Sequence, residues 1–282
     1  MNMDRLINAT YGDVWAIDRN AYSAAIAACR AEVIPKAQTG RLPTIKGSVG
    51  VLPLTGIITQ RSGNAFMEMF FGGTKTDAFG QAFDHMLASS SVGAIVLDID
   101  SPGGTLPGVA ELANKIHNAR GVKPIIGVVN SAACSAAYWI ASAAEILTVT
   151  PGGVVGSIGV YIEHEDASKL LDDMGVKTTV IYSGKYKVEG NPFEPLSEEA
   201  REHLQERVDA IHGQFVTAVA RGRDVSEARV RSDYGQGRTV MAPEALQLGM
   251  VDKIATLEGV VGELVAENSS RKQRLKNRAA VM

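Results

Sequence analysis

Apolar and polar positions along this chain follow a strand-like period in some blocks and a helix-like period in others. The continuous apolar runs VGVLPLTGII, VGAIVLDID and PIIGVVN predict strands that are covered on both faces of a sheet. Between these runs, AFGQAFDHMLAS and GVAELANKIHNA place apolar residues three and four positions apart, which predicts helices. Because strands and helices alternate at this pitch, we expect an α/β fold with a mostly parallel sheet.

The second half of the chain continues the alternation and adds one long helix. The runs EILTV, GSIGVYI and KTTVIYS predict strands, and SAAYWIASAA, DASKLLDDMG and APEALQLG predict helices. The long helix is predicted over SEEAREHLQERVDAIHGQFVTAVARG, whose apolar positions are Leu204, Val208, Ile211, Phe215 and Val219. The LSEE run at its start is typical of an N-cap followed by acidic residues in the first turn.

Composition shifts divide the chain into three predicted parts. Residues 1–47 are expected to form an N-terminal extension and linker, because PKAQTGRLPTIKGS combines proline, glycine and basic residues. Residues 48–256 are expected to form a single catalytic domain. Residues 257–282 are expected to form a helical, basic and partly disordered tail, since NSSRKQRLKNRAAVM is polar and basic.

Overall composition narrows the class of protein. The 282 residues are 45% hydrophobic and 21% charged, which is ordinary for a globular protein with a core. A formal net charge of −3 gives no signature of nucleic-acid binding. The two cysteines, Cys29 and Cys134, are too few for a disulfide framework, and no apolar run is long enough for a membrane span. We therefore expect a cytoplasmic protein with no membrane span and no nucleic-acid partner.

Two stretches could carry chemistry at the ends of predicted strands. In LDIDSPGG, Gly103 and Gly104 are expected at a strand-to-helix turn whose free N–H groups suit an anion, although an ordinary βα turn also fits. The full G-x-G-x-x-G spacing is missing, so we do not expect a dinucleotide site. In NSAACSAAYW, Ser135 lies at a second such turn among small residues, which fits either a nucleophile or a tightly packed helix.

A serine nucleophile needs a base, and the sequence offers two kinds. His164, in YIEHED, is a histidine downstream of Ser135 at the end of a predicted strand. Lys185 and Lys187, in GKYK, lie among apolar residues that could bury a lysine and lower its pKa from about 10.4 far enough for it to act as a base. From the residues alone, two solvated lysines are the favoured interpretation.

Five motifs together resemble the signal peptide peptidase A family of serine peptidases. They are LDIDSPGG, SAACSAAYWIAS, GGVVGSIGV, GKYKVEGNPFEPLSEEAREHL and GRTVMAPEALQLGMVDKI, in the order of that family, and the resemblance covers residues 48–256. It implies a crotonase- or Clp-like α/β fold of repeated ββα units. It also implies serine endopeptidase activity with a Ser/Lys dyad that needs no cofactor and no metal.

The resemblance assigns roles to particular residues of this chain. Ser135 corresponds to the nucleophile, and Lys187, rather than its neighbour in GKYK, corresponds to the general base. Ser157, in GSIG, corresponds to the serine that hydrogen-bonds the lysine. Gly103 and Gly104 correspond to the turn that contributes to the oxyanion hole.

The chain departs from the family pattern directly after the nucleophile. The family usually has two glycines there, whereas this chain has Ala136 and Ala137, so the geometry of the oxyanion hole is in question. Alanine fits most helical positions, and we expect activity to survive. Cys134 is read as a small packed residue, because it points about 100° away from its neighbour in a helix.

The leader YGDVWAIDRNAYSAAI followed by GSVGVLPLTGIITQRSG resembles the soluble branch found in phage head-assembly modules. That branch cleaves scaffold and capsid-associated proteins inside the prohead, which implies polypeptide substrates and a place in the host cytoplasm or prohead. The chain shows no N-terminal anchor and stops soon after Ile254, so any scaffold segment is expected to be separate.

Family members with a single domain assemble into rings in which neighbouring protomers supply the serine and the lysine. A homo-oligomeric ring with a shared dyad is therefore expected. The loop NAFMEMFFGG is too apolar for a free loop and is expected to form a subunit interface, a groove wall or part of the core. Its apolar residues are Phe66, Met67, Met69, Phe70 and Phe71.

Four alternatives remain open at this point. The chain could be a free-standing bacterial cytosolic peptidase, or a Clp-like Ser/His/Asp peptidase that uses Ser135 and His164. It could be a crotonase-like acyl-CoA enzyme that uses the Gly-Gly turn without a nucleophile. It could also be an inactive, ring-forming scaffold component, for which Ala136 and Ala137 are the sequence support.

Overall fold

The structure, a computed structural model, describes residues 14–30, 41–61 and 73–279. Within these residues nine strands form one sheet. The strands are β1 (Trp15–Ile17), β2 (Thr44–Lys46), β3 (Val49–Ile58), β4 (Ala94–Thr105), β5 (Ile125–Cys134), β6 (Ile146–Val149), β7 (Val154–Gly156), β8 (Thr239–Met241) and β9 (Lys253–Ile254).

Nine α-helices accompany the sheet in the same part of the chain. They are α1 (Arg19–Arg30), α2 (Thr76–Ala88), α3 (Val109–Asn118), α4 (Ala136–Ala141), α5 (Ser168–Asp173), α6 (Glu198–Arg223), α7 (Glu227–Asp233), α8 (Ala242–Leu248) and α9 (Leu257–Ala279). The long predicted helix is confirmed as α6, and its N-cap Ser197 accepts a hydrogen bond from the Ala200 N–H.

The central strands β3, β4, β5, β6 and β9 run parallel in that order. Strand β2 is antiparallel at the β3 edge, and β7 lies parallel beside the end of β5 with β8 antiparallel on it. Parallel strands need crossover helices, which α2, α3 and α4 supply. The predicted α/β class with a mostly parallel sheet is confirmed.

Both faces of the sheet are covered, as the continuous apolar strands predict. Helices α2, α3, α4 and α6 pack on one face and share its large core. On the other face, α9 places Leu257, Val260 and Val261 against the alternate side chains of β3, β4 and β5. The tail predicted from residue 257 thus begins with a helix that packs on the sheet, while the predicted domain boundaries themselves stay predictions.

Strands β5 and β1 lie along one edge of β4. Strand β3 pairs with β4 as far as Gly104, so it occupies the opposite edge over the whole length. Strand β5 pairs with β4 up to Ala133, which lies opposite Ser101. Beyond that point the antiparallel β1 takes over, with Ile17 opposite Gly103. The N-terminal extension therefore contributes a strand next to the place where β5 ends.

The segment after β7 differs from the prediction. No strand forms between Gly156 and Thr239, all of which the structure describes, although GSIGVYI and KTTVIYS have strand patterns. Tyr161 makes one isolated bridge, to Trp15. The KTTVIYS run is exposed, and Ile181 is 95% exposed. A strand requires a partner edge, and the run pairs with none in the part of the chain that the structure describes.

Two further observations concern interfaces. Among the described residues, no helix is both long and apolar enough to cross a membrane. The apolar residues of the NAFMEMFFGG loop, Phe66 to Phe71, lie outside the described residues, so its expected contact role stays a prediction.

Candidate active site

Ser135 occupies a strained turn between β5 and α4. Its backbone angles, φ 54° and ψ −121°, lie outside the regions that side chains other than glycine usually adopt. Such strain costs about 1–3 kcal/mol and occurs mainly at functional sites. A sharp strand-to-helix turn is also how hydrolases present a nucleophilic serine. The turn therefore has the backbone geometry of a nucleophile.

The small residues around Ser135 are accommodated by the core. Ala136 and Ala137 are fully buried in the large core cluster, so their methyl groups have packing partners. Further along the same helix, the Trp139 ring stacks on Phe215 of α6 at 4.7 Å between centroids. The two alanines are thus accommodated within the packed core.

Hydrogen bonds join the turn at Ser135 to the turn at residues 156–159. The Ser135 N–H donates to the Gly156 carbonyl at 2.7 Å, and the Ser135 Oγ donates to the Gly159 carbonyl at 3.3 Å. Ser157 lies between these two acceptors, is 9% exposed, and has a φ of 53°. Its N–H donates to the Arg238 carbonyl at 2.8 Å. The structure thus brings the backbone of Ser157 close to Ser135, while the predicted hydrogen bond from Ser157 to the lysine stays a prediction.

Gly103 and Gly104 lie inside β4 rather than at the start of a helix. Helix α3 begins only at Val109, so the expectation of a strand-to-helix turn at the two glycines is wrong. The reason is that both glycines are paired, with β3 on one edge and β1 on the other. The Gly103 N–H donates to Ser101 Oγ at 3.1 Å, and Gly103 has a φ of 104°.

The two lysines of GKYK have different surroundings. Lys185 Nζ donates to Glu199 Oε1 at 2.8 Å, and this carboxylate, with the Tyr186 hydroxyl, raises the pKa of Lys185 above its usual range. A lysine held in its charged form cannot take a proton from a serine. Lys187 is exposed, and its backbone N–H donates to the Gly184 carbonyl at 3.0 Å. Of the two lysines, only Lys187 is free of a carboxylate partner within the described residues.

The predicted dyad is not assembled within the described part of this chain. Ser135 is fully buried, whereas Lys187 is exposed on the segment between α5 and α6. No hydrogen bond in the described part of the chain joins the two side chains. His164 is likewise not hydrogen-bonded to the serine there, since its Nε2 faces the Asn191 carbonyl at 3.2 Å.

Cys134, directly before the nucleophile, is a buried thiol. Burial raises the pKa of the Cys134 thiol to about 12, and the carboxylates of Asp18 and Asp100 act in the same direction. The thiolate is the nucleophilic form of cysteine, so this residue is unreactive near neutral pH. The expectation of a small packed residue is confirmed by its 4% exposure.

The sequence patterns missed the strand that lies beside these residues. Strand β1 has three residues, too few for a periodicity to be recognised, and it lies in the predicted extension. Its Asp18 end is close enough to Cys134 for the carboxylate to influence the thiol. Among the described residues there is no group of three or more His, Cys, Asp or Glu that could hold a metal ion.

The strained serine, the joined turns and the parallel sheet define the class of a serine hydrolase. The model of peptidase family S49 matches residues 117–270. The head-tail preconnector protein GP5 of Enterobacteria phage P21 is 39% identical over 64% of this chain and 36% of its own length. The capsid assembly protease C of Escherichia phage lambda is 30% identical over 82% of this chain and 52% of its own length.

The chain belongs to peptidase family S49, since the family model covers more than half of it. It is thus a member of a serine peptidase family, as the five motifs predict. The chain spans 52% or less of the length of the two phage relatives. Among solved structures, the 1510-N membrane-bound stomatin-specific protease is similar at a TM-score of 0.46, with 15% identity over 78% of this chain and 85% of that chain.

Proposed function

We propose that this protein is a serine endopeptidase that uses Ser135 and Lys187 as a dyad and cleaves scaffold and capsid proteins during phage prohead maturation. The observation that carries the proposal is the backbone of Ser135, which is strained, follows a buried strand and begins a helix of small residues. Membership of peptidase family S49 supports the same chemistry.

The proposed reaction proceeds through an acyl-enzyme. Neutral Lys187 takes the proton from Ser135 Oγ while the oxygen attacks the peptide carbonyl. Backbone N–H groups near Gly103, Gly104 and the start of α4 stabilise the negative oxygen, and Ser157 orients the lysine. Protonated Lys187 then donates its proton to the leaving amine as the C–N bond breaks. Water, deprotonated by the same lysine, finally hydrolyses the ester.

We place the serine and the lysine of one working site on two neighbouring copies of the chain. The support is that Ser135 is buried in the body of the chain while Lys187 lies on an exposed segment. That segment, together with α5 before it, carries unusually many exposed apolar side chains for a surface in water. They are Leu170, Met174, Val176, Val180, Ile181, Tyr182, Tyr186 and Phe193. A second copy that covers this segment would also bury Lys187, which makes its neutral form accessible.

The substrate class and the location rest on the relatives. One similar protein is named a capsid assembly protease and another a head-tail preconnector protein. Substrates inside a forming capsid would place the enzyme in the host cytoplasm or the prohead.

The first test is covalent labelling with a fluorophosphonate probe, followed by intact-mass spectrometry. We expect wild type to gain one adduct, Ser135→Ala to gain none, and Lys187→Ala to react about 10²- to 10⁴-fold more slowly. Lys185→Ala and His164→Ala are the matched controls and should react like wild type. Labelling that is lost in His164→Ala and kept in Lys187→Ala would replace the dyad with a Ser/His site.

A mixing experiment with two inactive variants distinguishes a dyad shared between two copies of the chain from a dyad formed within one copy. The inactive variants Ser135→Ala and Lys187→Ala are unfolded together, refolded as a mixture and assayed for peptide cleavage. If neighbouring copies share the dyad, mixed assemblies contain sites with both wild-type residues and regain part of the activity. A mixture as inactive as its components, with assembly verified, would contradict the shared site.

A further inference from the structure

Strand β1 pairs with β4 close to the residue that precedes Ser135. It is antiparallel to the end of β4, with Ala16 opposite Gly104 and Ile17 opposite Gly103. The Asp18 N–H continues this pairing by donating to the Pro102 carbonyl at 2.8 Å. Recognition of a peptide by adding a strand to a sheet edge works through the same backbone hydrogen bonds.

The other edge of β1 is also paired, with the segment that follows Ser157. The Trp15 N–H donates to the Tyr161 carbonyl at 2.9 Å, and the Tyr161 N–H donates back to the Trp15 carbonyl at 3.1 Å. Strand β1 therefore fills a groove between β4 at residues 103–105 and the chain at Tyr161. One wall contains Gly103 and Gly104 of the LDIDSPGG motif, and the other directly follows the GGVVGSIGV motif, which contains Ser157.

The groove adjoins the nucleophile. A side chain at Gly103 would collide with the carbonyl oxygen of Ala16 and would lie 3.0 Å from the carbonyl oxygen of Cys134. Strand β1 and the residue before the nucleophile thus approach the same glycine from two sides. Ser135 is 0% exposed with β1 in this position.

Side chains anchor β1 on the outer side of the groove. Trp15 is 3% exposed and its ring lies 5.0 Å from that of Tyr22, which in turn lies 6.1 Å from the ring of Tyr161. Asp18 Oδ1 accepts hydrogen bonds from the N–H groups of Asn20 and Ala21, which fixes the start of α1 directly after the strand. The strand and the helix after it are thus docked as one unit.

We infer that β1 is a substrate-like strand of the protein's own chain that occupies the peptide-binding groove and blocks Ser135 until it is displaced. This inference rests on the proposed function, because it identifies the groove as the place where a substrate polypeptide binds. A three-residue strand with one aromatic cluster makes a small contact, so a substrate strand can compete for the same edges. The apparent affinity for substrate is the intrinsic affinity multiplied by the fraction of molecules in which the groove is free. Occupation of the groove by β1 therefore lowers the apparent affinity.

The test measures peptide binding without catalysis. All proteins carry Ser135→Ala, and the probe is a fluorescein-labelled peptide with the sequence VWAIDRN, that of residues 14–20. Ala16→Glu places a charge at a position that is 0% exposed and should expel β1, while Ala24→Glu makes the same change on the exposed face of α1. We expect anisotropy to show at least about tenfold tighter binding to the Ala16→Glu protein than to the control.

A second variant guards against misfolding. Trp15→Ala removes the aromatic anchor without adding a charge and should also tighten peptide binding, with circular dichroism confirming that the fold is kept. Equal binding by all of these proteins, or no binding by any of them, would overturn the inference.

Labelling of the catalytic serine distinguishes the two proposals. In proteins that retain Ser135, Ala16→Glu and Trp15→Ala should react with the fluorophosphonate faster than Ala24→Glu by the same factor as in the binding assay. If all variants react at the wild-type rate, β1 does not block the site, although the peptidase proposal stands. If Ala16→Glu and Trp15→Ala bind the peptide more tightly and none of the proteins reacts with the probe, the peptidase proposal fails. The inference that β1 occupies the groove would then still stand.

Discussion

Three serines around the end of β5 adopt positive φ angles: Ser131 at 125°, Ser135 at 54° and Ser157 at 53°. Each such residue costs about 1–3 kcal/mol unless its surroundings hold it in place. The holding contacts are backbone hydrogen bonds from elsewhere in the chain, among them the bond from Ser135 to the Gly156 carbonyl. At the scale of the residue, the site is therefore a strained turn that neighbouring segments keep in shape.

The first prediction concerns Gly103, whose φ is 104° and whose absent side chain leaves room for β1. Gly103→Ala should lower the rate of peptide cleavage by at least about 10²-fold, because the new Cβ displaces the backbone that would bind the substrate and its oxyanion. The measurement is kcat/KM for a fluorogenic peptide. Gly121→Ala is the control, since Gly121 has a φ of 80° with open space around its Cβ position. An equal loss of activity in both variants would show that strain alone is responsible.

At the scale of the element, the nucleophile helix α4 is short and depends on α6 for its position. The Trp139 ring of α4 stacks on the Phe215 ring of α6, at an interplanar angle of 12°. The Arg120 guanidinium, beyond α3, donates to the carbonyls of Ser142 after α4 and of Gly222 in α6 at 3.1 and 2.8 Å. Helix α6 thus connects the core around Ser135 with the exposed segment that lies between α5 and α6.

The second prediction tests this support. Phe215→Ala removes a fully buried ring and should lower the free energy of unfolding by about 3–5 kcal/mol, as large-to-small changes in cores do. Urea unfolding followed by circular dichroism measures the change. Phe193→Ala serves as the matched control, because Phe193 is 42% exposed and its loss should change the stability of the chain by less than about 1 kcal/mol. A similar cost for the two variants would contradict the assigned role of α6.

At the scale of the whole molecule, residues 177–187 pair with no strand among the described residues. Their pattern is that of a strand, yet they form no ladder and leave apolar side chains exposed. Apolar surface of this kind is typical of a subunit interface. The observation is consistent with the proposed ring, in which this segment would carry Lys187 to the serine of a neighbour.

The third prediction is that Ile181→Asp disrupts assembly and leaves the fold of the single chain unchanged. Ile181 is 95% exposed, so a charge there costs the monomer little but would be buried in an interface. Analytical ultracentrifugation should show a shift to smaller species, together with a loss of peptidase activity. Val122→Asp is the control, because Val122 is 64% exposed in the turn after α3. Assembly that withstands the Ile181 change would place the interface elsewhere.

The pattern of apolar positions by itself determined the parallel α/β fold and the long helix. It could do so because the burial of β3, β4 and β5 on two faces and the 3.6-residue period of α6 are local properties of the sequence. The resemblance carried by the motifs also assigned roles to Ser135, Ser157 and Lys187, and these roles stay predictions.

Only the tertiary structure decided three other points. It placed Gly103 and Gly104 inside β4 rather than at a helix start, because pairing on both edges extends a strand through glycines that would otherwise turn. It left KTTVIYS without a ladder, because strand formation depends on an available edge and not on propensity alone. It also brought β1 across more than 80 positions of sequence to lie beside Gly103, a long-range pairing that no local pattern encodes.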